Sequence, residues 1–100
     1  MPYISKKLRD DLDDQIGFII DVFEGKDPQG NSMGIQDDNL SGVINYIAFR
    51  LIKWYIFSGG ISYNRINSAI GILECCKQEV YRTIAAPYEE EKKRENGDVL

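Results

Sequence analysis

The chain contains no histidine. That absence removes Ser-His-Asp and Cys-His catalysis, histidine-ligated metals and histidine pH switches together. Cysteine is nearly as scarce. The only two, Cys75 and Cys76, are neighbours, and adjacent cysteines cannot staple distant segments. No other cysteine or histidine completes a metal or redox site. They read as reduced thiols packing on a helix. Long apolar runs are missing too. The uninterrupted stretches are short, as in Phe18-Ile19-Ile20, far below the roughly 20 residues of a membrane span. Positive charge is the minority: 12 basic residues face 16 acidic ones, for a net charge of −4. Duplex DNA and anionic membranes both demand the opposite field. The opening Met1-Pro2-Tyr3-Ile4-Ser5-Lys6-Lys7 runs into an acidic cluster and does not read as a signal peptide. The sequon Asn39-Leu40-Ser41 therefore has no export context.

What remains is an ordinary globular composition, 43% hydrophobic and 28% charged over 100 residues. That length fits one domain, residues 1–100. Such a chain buries only about 60–65% of its unfolded surface, so its own core is modest.

No stretch alternates like a strand, and apolar residues recur at steps of three and four. Between Tyr3 and Glu24 they are Ile4, Leu8, Leu12, Ile16, Ile19, Ile20 and Phe23, an amphipathic helix. Ser5 or Asp13 is placed to cap it and Gly25 to end it. Residues 25–39 are turn formers and predict a mobile loop. Asp27, Gln29 and Asn31 alternate as in a calcium loop, but Ser32 stands where glycine is needed and Asp38 where a bidentate glutamate belongs. A solvated loop is the better reading. A second helix starts at Asn39 or Ser41 and ends at Ser58-Gly59-Gly60. A third runs from Tyr63 to Ala86 behind the cap Ser62, and Pro87 is expected to kink or restart the chain. A charged helical tail, residues 88–100, carries Glu89, Glu90 and Glu91 before Lys92, Lys93 and Arg94, with Glu89–Lys93 and Glu90–Arg94 as expected pairs. This run reads first as a solvated face, and Asn96-Gly97 as its stop. The expected fold is all-α: a small bundle of three main helices plus the tail, completed by oligomerisation.

Two helix faces say more. At about 100° per residue, the second helix gathers Leu40, Val43, Ile44, Ile47, Leu51, Trp54 and Tyr55 on one face. Phe49, Ile52 and Ile56, with Asn45 among them, form a stripe on the other. A helix apolar nearly all round is buried on both sides. One cover comes from the chain itself, and Phe49, Ile52, Ile56 and Asn45 are the expected contact with a second copy. The alternative is a second helix held centrally between the other two. The third helix carries Ile66, Ala69, Ile70, Leu73, Cys76, Val80 and Ile84, with Lys77 inside that stripe. Glu74 and Tyr81 flank Lys77, and Asn67, Glu74, Tyr81 and Tyr88 recur every seven residues. Either Lys77 serves a polar pocket, or it pairs with Glu74 while its stem packs and its amine reaches water.

The stretches Met1-Pro2-Tyr3-Ile4, Val43-Ile44-Asn45-Tyr46, Ala69 to Arg82, Ala86-Pro87-Tyr88-Glu89-Glu90 and Glu95-Asn96-Gly97-Asp98-Val99 resemble a small family of unknown function met in tailed-phage and bacterial genomes. The likeness spans nearly the whole chain and is densest from Tyr63 onward. Family members often close with tyrosine where this chain has Leu100, and many have a shorter loop at residues 25–39. The resemblance implies a phage context and the cytoplasm of a bacterial host, and it carries no catalytic residue over.

Three functions are compatible with these residues. The favoured one is a non-enzymatic, homo-oligomeric accessory protein without a cofactor. It would sequester a small anionic, nucleotide-like host signal at a subunit-interface pocket, as a host-defence antagonist. Lys77 and Arg82 would pair with phosphate, Tyr81 and Tyr88 would stack, and Glu74, Asn67, Asn96 and Asp98 would address polar edges. The second is a direct inhibitor or adaptor acting on a host protein through the acidic, aromatic surface. The third, an enzyme using Glu74, Glu79, Lys77 and Tyr81, lacks a nucleophile–base pair, a phosphate loop or a metal constellation.

Overall fold

A computed structural model describes residues 4–25 and 35–98. The calcium-like residues Asp27, Gln29, Asn31 and Ser32 lie outside them, as does most of the expected loop. The fold is all-α, with no strand among the described residues. Helix α1 spans Lys6–Phe23, α2 Leu40–Ser58 and α3 Tyr63–Val80; a π-helical turn, Tyr81–Ala85, leads into α4, Ala86–Asn96. The chain divides into two compact units, residues 1–51 and 52–100, with the division inside α2.

In the first unit, Ser5 caps α1. Its hydroxyl accepts from the Leu8 backbone N–H at 3.2 Å, meeting one of the donors a helix start leaves unpaired. Lys6 and Lys7 follow at once, against the helix dipole. They are answered one turn on, Lys6–Asp10 at 2.8 Å and Lys7–Asp11 at 2.9 Å, both solvent-exposed. The apolar stripe of α1 is as the periodicity predicts, yet Leu8, Leu12, Ile16 and Ile19 all remain exposed. Asn39 closes the turn before α2: its side-chain oxygen accepts from the Gln36 N–H at 2.9 Å.

In the second unit, Ser62 caps α3 by accepting from the Arg65 N–H at 3.1 Å. The turn before it ends on Gly60 at φ 85°, backbone that glycine adopts without strain. Arg65 then locks the corner. Its Nε donates to the Tyr55 carbonyl at 3.1 Å, one terminal nitrogen donates to the Ser58 hydroxyl at 2.7 Å, and the guanidinium lies 4.2 Å from the centre of the Tyr55 ring. Ala69 is the one fully buried residue among those described, at 1% exposure.

Of the two expectations at Pro87, a kink or a restart, the restart does not occur. Helix continues from Tyr63 to Asn96. Proline lacks an N–H and its ring clashes with the carbonyl four residues back. The wider turn just before it absorbs that misfit: the Ala86 N–H donates to the Tyr81 carbonyl, five residues back. The ion pairs of α4 also differ from expectation. Those that form are one step closer, Lys93–Glu90 at 3.4 Å, Lys92–Glu95 at 3.2 Å and Arg94–Glu91. Gly97, at φ 85°, ends the helix as expected, its N–H donating to the Lys93 carbonyl at 2.8 Å.

Candidate functional site

The residues singled out on α3 and α4 fall into two separate groups. Lys77 and Tyr81 line one open hollow of about 440 Å³ with Gln78, Val80 and Ala85. Tyr88, Asn96 and Asp98 line a second, of about 380 Å³, with Glu89, Lys92, Lys93 and Gly97. Lys77 and Tyr88 are eleven residues apart along one continuous helix, a distance of roughly 16 Å at 1.5 Å per residue. Asn67 lies a similar distance away in the other direction and lines neither hollow.

Lys77 is not sunk in the apolar stripe. Its side chain is 74% exposed, and its amine sits 3.7 Å from Glu74. That is the Glu74 pairing of one of the two readings above, and Lys77 lines the open hollow as well. Glu74 also accepts from the Gln78 amide at 3.0 Å. Arg82 is engaged by Glu79, one guanidinium nitrogen donating to both carboxylate oxygens at 2.9 and 2.8 Å. The same glutamate's backbone carbonyl accepts from the Thr83 hydroxyl at 2.6 Å. Lys77–Glu74 and Arg82–Glu79 are both pairs three residues apart along the helix surface.

The second hollow is the better-furnished one. The Lys92 ammonium stands 5.4 Å from the centre of the Tyr88 ring, within cation–π range. Lys93 bridges Glu90 and the Asp98 carboxylate, at 3.4 and 3.8 Å. Asn96 and Asp98 come to it because Gly97 turns the chain back where α4 stops. An aromatic face, two ammonium groups, a carboxamide and two carboxylates, Glu89 and Asp98, therefore share one concavity. Lys92 and Lys93 were not singled out from the sequence, where they belong to the charged run. The spacing held the signal: Lys92 is four residues after Tyr88, one turn above it on the same face.

On α2 the exposures do not follow the two faces read from the sequence. Of the four expected contact residues, Phe49 and Asn45 are exposed while Ile52 and Ile56 are half-buried. Leu51 and Trp54, read on the inward face, are among the most exposed apolar residues, at 63% and 69%. No described cluster of three or more cysteine or acidic side chains is placed to hold a metal ion. No helix among the described residues is long and apolar enough to cross a membrane.

No curated protein and no solved structure matches the chain. A family model described as a domain of unknown function (DUF6899) matches residues 1–99, and the chain belongs to that family.

Proposed function

We propose that this is a non-enzymatic accessory binding protein of phage, working as a homo-oligomer in the host cytoplasm, that holds a small anionic, nucleotide-like host signal. The observation that carries the ligand is the α4 hollow. Tyr88 offers a face for a base, Lys92 and Lys93 offer charge to phosphate, and Asn96 and Asp98 offer an amide and an acceptor to polar edges. Self-association is supported by the apolar side chains left facing water on α1, α2 and α3, which soluble monomers rarely keep as contiguous patches.

Calorimetry of the purified protein against cyclic nucleotides and ADP-ribose derivatives tests the ligand. Saturable binding that Lys92→Ala and Tyr88→Ala each weaken at least tenfold is expected. Silence across the panel at micromolar protein overturns it.

A second reading, direct inhibition or adaptation of a host protein, is favoured by the acidic run Glu89–Glu91 next to the exposed ring of Tyr88. It separates from the first by mutation. Glu90→Lys with Glu91→Lys would abolish capture of a protein partner, and neither residue lines the hollow.

A further inference from the structure

The apolar stripe of α3 has a finer pattern than amphipathicity requires. Ile66, Ile70, Leu73, Lys77 and Val80 follow one another at steps of four, three, four and three. That is the alternation of a heptad seam, with Ile70 and Lys77 at a positions and Ile66, Leu73 and Val80 at d. Asn67, Glu74 and Tyr81, the residues that recur every seven, are then its e positions. Among the described residues of the second unit the seam is half-buried at Ile66 and open beyond it: Ile70 is 60% exposed, and Leu73 and Val80 about half. It stops where the π-helical turn begins, since a five-residue hydrogen-bonded turn breaks the heptad phase.

We propose that the occupant of this seam is α3 of a second copy, packed antiparallel about a two-fold axis near Cys75. This rests on the self-association proposed above and specifies where it occurs. One feature fits it and a second selects it. The first is self-complementary spacing. Ile70 and Val80 lie five residues either side of position 75, and Leu73 and Lys77 two, so an antiparallel copy sets Ile70 against the partner's Val80 and Leu73 against the partner's Lys77. Such a contact uses one patch twice, as a closed two-fold requires. The second is charge. A parallel copy in register would face Lys77 with the same lysine. An antiparallel copy places Lys77 beside the partner's Glu74, and the two-fold makes that pair twice. Within one chain Glu74 and Lys77 are only loosely matched, at 3.7 Å with both side chains exposed, and both can turn to the partner. Lys77 then has the role a lone lysine plays at an a position: it fixes register and orientation at a cost in affinity. Its hollow with Tyr81 belongs to the contact between copies, which leaves the α4 hollow as the ligand's place.

The test is a charge swap in the full chain. Glu74→Lys and Lys77→Glu each put like charges together and are expected to weaken dimerisation at least tenfold by sedimentation equilibrium, with helicity by circular dichroism unchanged. An equimolar mixture of the two restores opposite charges on both sides and is expected to return to within a few-fold of wild type. Orientation is read in a Cys75→Ser, Cys76→Ser background by oxidising Leu73→Cys mixed with Lys77→Cys. A disulfide joining the two different variants is expected. A disulfide between two Lys77→Cys chains would show a parallel pair and overturn the proposal. So would a wild-type oligomer indifferent to the swaps, which would leave self-association standing at another face. A wild-type chain that stays monomeric would overturn self-association itself.

Discussion

Helices α3 and α4 are one continuous helix on either side of the π-helical turn, and they meet water in opposite ways. Helix α4 answers its own charges. Lys92, Lys93 and Arg94 each find a glutamate three residues away, and nothing apolar but Tyr88 projects from it at length. Helix α3 carries Ile70, Leu73 and Val80 exposed in a row, with one loosely paired lysine among them. A helix of the first kind is complete alone, while one of the second kind is half of something. The π-helical turn before Pro87 marks the change, because it ends the regular phase on which a seam depends.

Four substitutions sharpen that contrast. The largest effect is expected from Leu73→Asp, which buries a carboxylate in the proposed contact. Association is lost across the micromolar range in sedimentation velocity. Next is Arg65→Ala. It removes two charge-assisted hydrogen bonds and a ring contact at the α2–α3 corner, and a loss of about 2 kcal/mol is expected in urea unfolding. Lys77→Leu should act in the other direction: an apolar side chain at that a position tightens dimerisation about tenfold, at the cost of register. The smallest effect belongs to α4. Arg94→Ala breaks an exposed pair and is expected to change stability by less than about 0.5 kcal/mol. An effect there as large as at Arg65 would show that α4 is held by something other than itself.

The helices and their ends were legible because they depend on near neighbours. Ser5, Ser62 and Gly97 do what their positions in the sequence imply, since a cap needs only the next few residues. The restart expected at Pro87 fails for a related reason. Proline's cost in a regular helix is local, but a single π-helical turn escapes it, and no residue type announces such a turn. Lys77 lies on the apolar stripe, and a helical wheel does not say whether a face is covered; its amine is in water beside Glu74, one of the two readings its position allowed. Arg65 escaped notice because its partners Tyr55 and Ser58 lie across a turn, brought near only by the corner they help to hold. Lys92 and Lys93 were hidden by their company: in a run of charges, the one over an aromatic ring looks like its neighbours.

The most direct measurement is the mass of the wild-type protein in solution at low micromolar concentration. Sedimentation equilibrium is expected to give a whole multiple of the 11.4 kDa chain, falling toward a single copy on dilution. A single copy throughout, with the helicity of the folded state intact, would contradict the claim that a second copy covers the α3 face.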